Sequence, residues 1–182
     1  YCYYAMSKVA SERAVAESGL KYWAIVRQSF QIPNNPIAAD YPIVAHMPQD
    51  TYGERMDAES SGNLMVQICL NAPENFWRYG YHMGGGEDQR FDQYSYVKAL
   101  HGNARAGWSP KWLATKNYHG CYFTDSDDLN EIVPYRLKDR AQFLKDELMN
   151  QIKLVKSKPR MTPEEVEAKN KRIARKPGGT LW

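Results

Sequence analysis

The feature that most constrains the fold is a helix-forming segment followed at once by a strand-forming one. Residues 5–17, AMSKVASERAVAE, are rich in good helix formers, and their small and apolar residues are spaced as in a helix with a buried stripe. Ser18-Gly19 supplies a stop, and the segment after it has a β-branched and aromatic core. The sequence therefore predicts a helix over residues 5–17, a turn, and a buried strand from Trp23 to Arg27.

The rest of the chain predicts further alternation of helices and strands. We expect a helix that begins near Asp57 and ends before Pro73, a short strand at 77–82, and further helices at 91–100, 138–155 and 162–175. A Pro-rich loop should occupy residues 33–49. With 182 residues, 43% of them hydrophobic, the chain is long enough for one domain with a packed core. Alternating elements of this kind predict an α/β fold.

Composition excludes several classes of protein. No apolar run approaches the length of about eighteen residues needed to cross a membrane, and the first residues do not resemble a secretory signal. We therefore expect a cytoplasmic protein. The three cysteines, Cys2, Cys69 and Cys121, are too few and too far apart for a disulfide framework or a zinc motif, and thiols that are buried or have no special role are the better interpretation. Because the chain opens at Tyr1 without a Met, we expect it to be part of a longer protein.

Charge is distributed unevenly along the chain. Residues 1–137 hold 12 Lys and Arg against 15 Asp and Glu, a balance of −3, whereas residues 138–182 hold 12 against 6, a balance of +6. A basic tail can bind phosphates or nucleic acid. Lys and Arg interspersed with Glu on helices are more typical of a solvated face, so nucleic acid is the less favoured partner.

Tyr4 and Lys8 are the residues that most directly suggest chemistry. Residues four apart share one face of a helix, so both polar ends can reach one cavity. A phenol is a poor base at neutral pH unless a nearby ammonium stabilises the phenolate, and Lys8 is placed to do so. Such a pair alone is more often a surface contact than a catalytic site.

The surrounding pattern resembles the extended short-chain dehydrogenases/reductases of the NAD-dependent epimerase/dehydratase type. Their helix of the form Y-x-x-S-K-x-x-x-E, with a turn and a strand bearing an Arg, is matched in order by Tyr4, Ser7, Lys8, Glu12 and Arg27. Further on, the segment around Asp57 is similar to the Asp at the head of a helix in that family. The segment 79–87, YGYHMGGGE, is similar to its strand ending in Asn-x-Gly-Gly, with His82 in place of the Asn. The resemblance covers residues 1–100.

This resemblance implies a fold and an activity. The chain would be the C-terminal part of a Rossmann-type sheet with a smaller, mainly helical substrate-binding lobe. Residues 1–32 would end the dinucleotide-binding domain, and residues 33–182 would form the lobe with interleaved Rossmann elements. The activity implied is oxidoreductase, epimerase or dehydratase chemistry, by hydride transfer at a hydroxyl or carbonyl carbon of a small molecule, nucleotide sugars included. A homodimer is implied as well.

The same resemblance implies roles for particular residues. Tyr4 would be the general acid/base, Lys8 would bind the ribose of NAD or NADP and assist Tyr4, and Ser29 would lie beside the nicotinamide. The glycine-rich strand, turn and helix that holds a dinucleotide pyrophosphate is not among the 182 residues. Gly84-Gly85-Gly86 lacks the required spacing and is interpreted as a turn. We therefore expect the cofactor-binding half to precede Tyr1.

Other candidate sites carry less weight. The histidines His46, His82, His101 and His119 have no metal-ligand spacing, and no metal is expected. His119 and Cys121 could form a nucleophilic pair, but a loop with a buried thiol is preferred. Asp125, Asp127 and Asp128 are interpreted as a turn and helix cap rather than a calcium loop. For the aromatic residues of the second half, core packing is preferred to a ligand pocket; they are Trp108, Trp112, Tyr118, Tyr122 and Phe123.

Two rival functions remain open at this point. The chain could be a non-catalytic interaction domain whose basic C-terminal helices bind a partner, with Tyr4 and Lys8 as surface residues. It could also be a degenerate NAD(P)-binding protein that senses rather than reacts. Salt-dependent binding to nucleic acid would favour the first rival.

Overall fold

A computed structural model describes residues 3–32, 48–95, 114–116, 120–157, 162–165 and 167–168. Two short 3-10 helices, Glu74–Phe76 and Glu87–Gln89, flank the fourth strand. The other elements are, in chain order, α1 (Tyr3–Ala16), β1 (Ala24–Gln28), β2 (Phe30–Ile32), β3 (Tyr52–Asp57), α2 (Ala58–Asn71), β4 (Tyr79–Met83), β5 (Arg90–Asp92), α3 (Ser126–Ile132) and α4 (Arg140–Ser157).

The strands form two small sheets, and the chain passes from one sheet to the other between β1 and β2. β1 pairs with β4 in parallel, with Arg27 opposite His82, while β2 pairs with β3 in parallel and β3 pairs with β5 antiparallel. Ser29 stands where the chain leaves one sheet for the other, and its amide donates to the carbonyl of Met83 at 2.9 Å. Parallel strands joined through a helix confirm the α/β prediction. The sequence did not indicate the break at Ser29.

The first helix and strand form as predicted, but their burial differs from the prediction. No residue of α1 is buried, and Val9 is 65% exposed, so the predicted buried stripe is wrong for this chain. Trp23 to Val26 are only half-buried rather than buried. β1 is half-buried because it has one strand neighbour among the described strands. The apolar residues of α1 do not gather on one face of the helix, so the helix has no stripe to bury.

The core is formed mainly by side chains from β3, α2, β4 and α3. Phe76 stacks on Tyr81 with ring centroids 4.7 Å apart, and the Tyr81 hydroxyl donates to the carbonyl of Phe76 at 2.8 Å. The cluster of buried residues consists of Met56, Leu64, Phe76, Tyr81, Met83, Leu129, Val133 and Tyr135. Burial of these side chains is the main stabilising contribution within the described residues.

Helix starts are well explained by the sequence. Asp57 caps α2, as the resemblance implies, by accepting from the amide and the hydroxyl of Ser60 at 2.9 and 2.7 Å. At the predicted last helix, the amide of Thr162 donates to Glu165 and the amide of Glu165 donates to the Thr162 hydroxyl, which is a capping box. The helix predicted at 138–155 is α4. None of the helices in the described ranges is long and apolar enough to cross a membrane.

The helix predicted from Phe91 is wrong at its beginning. Phe91 and Asp92 lie in β5, opposite Gly53 and Tyr52, and helical backbone begins only at residue 93. The pairing is favoured because the Phe91 ring occupies the space that a side chain at position 53 would need, 2.6 Å from an added Cβ. Cross-strand packing thus overrides the local helical pattern. Residues 96–100 of that prediction, and most of the predicted loop at 33–49, lie outside the described residues.

Candidate active site

Tyr4 and Lys8 lie next to each other on the first turns of α1. The Lys8 ammonium is 5.3 Å from the centroid of the Tyr4 ring, over its face. Tyr4 is 49% exposed and Lys8 is exposed, so both can be reached from solvent. The Ser7 hydroxyl donates to the Tyr4 carbonyl at 2.7 Å and is directed along the helix rather than toward the phenol. The i, i+4 spacing therefore brings the two residues together on an open face.

An ion pair fixes where this helix lies along the sheet. The Arg27 guanidinium donates to both carboxylate oxygens of Glu12, at 2.9 and 2.8 Å. Tyr4 lies two helical turns, roughly 12 Å, from Glu12 along α1. Arg27 is the next-to-last residue of β1, so the ion pair joins the helix to the carboxyl-terminal end of that strand. Ligands of parallel α/β sheets bind at the carboxyl ends of the strands.

Ser29 follows β1 at the same end of the sheet. Its Oγ is buried and makes no hydrogen bond with any residue in the part of the chain that the structure describes. Its backbone groups are occupied, since the amide donates to Met83 and the carbonyl accepts from the Gln31 side chain at 3.1 Å. Buried hydroxyls in native proteins nearly always have a partner. An unpartnered one at this edge is available to a bound molecule.

A polar network that sequence reasoning did not find extends from Glu12 across the sheet. Arg27 also contacts His82 Nε2 at 3.3 Å, and His82 Nδ1 contacts both carboxylate oxygens of Asp125, at 2.9 and 3.0 Å. The hydrogen bond from Arg27 lowers the pKa of Glu12, against the opposing effect of burial, and Glu12 in turn raises the pKa of Arg27. Arg27 lies opposite His82 in two adjacent parallel strands, and this register is what brings the members of the network together. The sequence alone does not show that β1 pairs with β4, so the network could not be predicted from it.

Sequence reasoning also missed Glu54, a completely buried carboxylate on β3. Its Oε1 accepts from the amide of Gly86 at 2.8 Å and from the Ser126 hydroxyl at 2.7 Å, and its Oε2 accepts from the amide of Phe123 at 2.9 Å. An ionised carboxylate only accepts, so it suits three donors. Glu54 therefore joins β3, the glycine loop after β4 and the chain before α3.

The glycine loop 84–86 is held from its other side by Tyr135 and Arg136. The Tyr135 hydroxyl donates to the Gly84 carbonyl at 2.8 Å and accepts from the Gly84 amide at 3.2 Å, and Arg136 Nε donates to the same carbonyl at 2.9 Å. Burial raises the pKa of Tyr135, which keeps this phenol protonated. The amides of Gly84 and Gly86 are thus occupied within the protein, so they do not form a phosphate cradle, in agreement with the sequence interpretation.

The remaining candidate site residues from the sequence fall into two groups, those within the described ranges and those outside them. Among the described residues no group of His, Cys, Asp and Glu could hold a metal ion. The turn and helix start predicted at Asp125, Asp127 and Asp128 are confirmed, because Asp125 directly precedes α3 and the other two lie in its first turn. The Asp125 side chain makes no capping hydrogen bond, and its carboxylate contacts His82 instead. Cys69 and Cys121 are exposed free thiols rather than buried ones. His46, His101, His119, Trp108, Trp112 and Tyr118 lie outside the described residues.

Tyr122 lines a cavity rather than the core, contrary to the packing interpretation. The cavity has a volume of about 360 Å³, and its lining consists of Asp50, Thr51, Tyr52, Gly120, Cys121 and Tyr122. The rings of Tyr52 and Tyr122 meet edge to face with centroids 6.5 Å apart. Thr51 Oγ1 is buried without a hydrogen-bond partner in the described ranges. A second unpartnered hydroxyl therefore lies beside an aromatic-lined opening.

Comparisons with known proteins give weak structural similarities. No protein-family model and no curated protein matches the chain. Among solved structures it is similar to a UDP-glucuronic acid 4-epimerase from Bacillus cereus, in complex with UDP-glucuronic acid and NAD, with TM-score 0.44 and 13% identity over 72% of this chain and 45% of that one. It is also similar to a UDP-glucose-4-epimerase from Stenotrophomonas maltophila with bound NAD and formylated UDP-arabinopyranose, with TM-score 0.48 and 9% identity over 85% of this chain and 54% of that one. The chain spans about half the length of these structures, and similarity at this level gives no residue correspondence.

Proposed function

We propose that this chain is the substrate side of a cytoplasmic, NAD(P)-dependent enzyme of the extended short-chain dehydrogenase/reductase type. The observation that carries the proposal is the Tyr4–Lys8 pair, on a helix that the Glu12–Arg27 ion pair joins to the carboxyl-terminal end of β1. The unpartnered hydroxyl of Ser29 at the same edge supports it. The reaction class is hydride transfer at a hydroxyl or carbonyl carbon, as an oxidation, epimerisation or dehydration.

In this proposal Tyr4 moves the proton and Lys8 makes that movement possible. The phenol takes a proton from the substrate hydroxyl, or gives one to the carbonyl oxygen, and the ammonium stabilises the phenolate between these events. When bound, the nicotinamide cofactor accepts or supplies the hydride. Lys8 and Ser29 fit such a cofactor because an exposed ammonium and an unpartnered hydroxyl suit the ribose and carboxamide groups of a nicotinamide nucleotide.

The pyrophosphate and adenosine of the cofactor require a further segment. The second edge of β1 pairs with no strand among the described residues, and no residue of α1 is buried. A Rossmann-type sheet that continues from this edge and covers α1 would bury both and supply the glycine-rich turn. We expect a longer chain with that segment to bind NAD or NADP, and residues 1–182 alone to bind neither tightly. Tight binding by the isolated chain, measured by calorimetry, would contradict this division.

The substrate proposed is a small hydroxyl or carbonyl compound, with nucleotide sugars as one class to test. The cavity beside Tyr52 and Tyr122 supports a ring-shaped polar substrate, because aromatic faces suit the C–H surface of a ring and Thr51 can bond a hydroxyl. A panel of sugar nucleotides, free sugars and simple alcohols, screened with both cofactors, would identify the class.

Substitution of Tyr4 tests the chemistry directly. In the intact enzyme Tyr4→Phe removes only the hydroxyl, so we expect folding and cofactor binding to survive while hydride transfer falls by roughly a hundredfold or more. Tyr3→Phe is the matched control, because Tyr3 is the preceding tyrosine, is 69% exposed and has no proposed role. Full activity of Tyr4→Phe would make Tyr4 a surface residue and would favour the non-catalytic reading.

Lys8→Met should affect two measurements at once. The loss of the ammonium should weaken cofactor binding and lower the rate of hydride transfer, because the negative charge that develops on the phenol oxygen is no longer stabilised. Lys21→Met serves as the control, since Lys21 lies in the turn before β1 and contacts Tyr22. Unchanged cofactor binding and an unchanged rate in Lys8→Met would remove Lys8 from the proposed mechanism.

The proposal includes a homodimer formed through α1. Its exposed surface carries the small residues Ala5, Ala10, Ala14 and Ala16, which permit close approach of a second helix. Sedimentation of the intact protein should give a dimer at micromolar concentration. A strict monomer over that range would remove this part of the proposal.

A further inference from the structure

We propose that His82 is a positioning residue, which holds the Arg27 guanidinium against Glu12 and thereby sets the orientation of α1. The relevance of His82 to catalysis rests on the proposed function, because α1 carries Tyr4 and Lys8. The claim that His82 sets the orientation of α1 is independent of the proposed function. His82 is also the residue at which the β4 motif departs from the Asn of the resembled family.

The contacts of the His82 ring determine which nitrogen carries the proton. A guanidinium donates only, so Nε2, at 3.3 Å from Arg27, must be the acceptor of that contact. A carboxylate accepts only, so Nδ1, at 2.9 Å from Asp125, must be the donor. The neutral tautomer with hydrogen on Nδ1 is the one form that satisfies both neighbours.

The ring is held in place by groups that are themselves anchored. Phe123 stacks on His82 with centroids 4.3 Å apart and planes 5° apart. The amide of Phe123 donates to buried Glu54, and its carbonyl accepts from Arg90 at 3.0 Å. The ring plane of His82 is therefore set by a residue fixed on both sides of its backbone. Preorganisation of this kind is what a positioning role requires.

The element that His82 positions has little else to hold it. Glu12 is the single described residue of α1 that is not exposed, and its two hydrogen bonds to Arg27 reach from the helix to the sheet. Arg27 has a half-exposed side chain that could adopt other rotamers. The contact with His82 restricts those rotamers, because it fixes the third nitrogen of the guanidinium. α1 is thus oriented through Arg27 by a side chain that it does not touch.

Two substitutions separate the two contacts of the ring. In His82→Gln the amide group reaches the position of Nε2, where its oxygen accepts from Arg27 and does not titrate. In His82→Asn the amide group lies near the position of Nδ1, where it bonds Asp125 and leaves Arg27 without this contact. The full chain of each variant is studied by amide hydrogen exchange, corrected for the intrinsic effect of pH, with α2 as the internal reference.

At neutral pH we expect α1 protection in His82→Asn to be about twofold lower than in the wild-type chain, the scale of a partly exposed ion-pair contact. His82→Gln should keep wild-type protection. Nitrogen chemical shifts of the His82 ring should show hydrogen on Nδ1. Equal α1 protection in all three proteins, or hydrogen on Nε2, would overturn the proposal.

The rate of hydride transfer in the intact enzyme then tests the link to Tyr4 and Lys8. If α1 protection follows the pattern above and kcat follows it too, with rescue in His82→Gln, both proposals are supported. If protection follows the pattern but kcat does not, the positioning of α1 by His82 stands and the assignment of catalysis to α1 fails.

Discussion

The buried cluster around Glu54 and the exposed helix α1 are held in opposite ways. Glu54 is inaccessible to solvent and accepts three hydrogen bonds from three separate segments of the chain. α1 has no buried residue and reaches the sheet through a partly exposed ion pair. The Glu54 cluster is hard to separate, because each donor would lose its partner at a site that solvent does not reach. The contact between α1 and the sheet is easily broken, because exposed ion pairs contribute little to the free energy of unfolding.

This difference indicates where rigidity and adaptability lie in the molecule. The Glu54 cluster fixes the loop after β4 and the segment before α3, which together bring Phe123 and Asp125 to His82. The helix that carries Tyr4 and Lys8 is held less firmly than this cluster, because none of its residues is buried. Functional elements are commonly drawn from the less stable parts of a fold.

The largest effect should come from Glu54→Gln. The amide can keep the bonds from Gly86 and Ser126 through its oxygen, but its NH₂ group then faces the amide of Phe123, donor against donor. We expect the free energy of unfolding to fall by about 3 kcal/mol, measured by urea denaturation. Glu131→Gln, an exposed change on α3, should alter it by less than about 0.5 kcal/mol. Equal losses of stability in the two variants would contradict the expectation that a buried carboxylate contributes more to stability than an exposed one.

A smaller loss of stability is expected from Gly84→Ala. The added methyl group would clash with the carboxylate of Glu54 in the buried loop, so either the loop or Glu54 must move. Overpacking of this kind costs about 2 kcal/mol. Gly62→Ala on α2 is the matched control, since nothing lies within 4 Å of its added Cβ, and alanine favours a helix by about 0.5–1 kcal/mol. The two glycine changes should thus shift the thermal midpoint in opposite directions.

Two aspartates at helix starts sharpen the comparison further. Asp57 caps α2 through its side chain, whereas Asp125 begins α3 without a capping bond. Asp57→Ala should lower the free energy of unfolding by about 1 kcal/mol, the usual contribution of such a cap. Asp125→Ala should lower it by less than about 0.5 kcal/mol but should alter the nitrogen chemical shifts of the His82 ring. A larger loss from Asp125→Ala would show that its carboxylate does more for stability than the structure indicates.

Local patterns predicted the helices and the cap at Asp57 well, because those features depend on residues close in sequence. The helix of α1, the turn at Ser18-Gly19 and the strand after it follow from the same local rules. What could not be predicted depends on which strands become neighbours. Arg27 meets His82 across 55 positions, and Glu54 meets Ser126 across 72.

Burial was predicted less well for a related reason. The small and apolar residues of the first segment predicted a buried stripe, but in the formed helix α1 they do not gather on one face and none of them is buried. The failed helix at Phe91 has a different cause, because a glycine opposite it at position 53 made strand pairing more favourable. The spacing of Tyr4 and Lys8 thus made them a candidate pair from the sequence alone, while the contacts among Glu12, Arg27 and His82 required the register of β1 against β4.

The smallest expected effect is that of Glu12→Gln, which removes the charge from the contact between α1 and Arg27. The pKa of Glu12 is lowered from its ordinary value of 4.5, chiefly by the hydrogen bond from Arg27. A lowered carboxyl pKa means that the stabilisation is fully present above the ordinary value and is lost as pH falls through the folded value. We therefore expect the free energy of unfolding of the wild type to exceed that of Glu12→Gln by about 0.5 kcal/mol at neutral pH, after allowing for solvent screening. The difference should disappear as pH falls through the lowered pKa of Glu12. Glu17→Gln removes an exposed pair with Arg13 within α1 and leaves the contact with the sheet intact, so amide exchange of α1 should change in Glu12→Gln and not in Glu17→Gln. If both variants changed it equally, the helix would be held by its general helical stability rather than by Arg27.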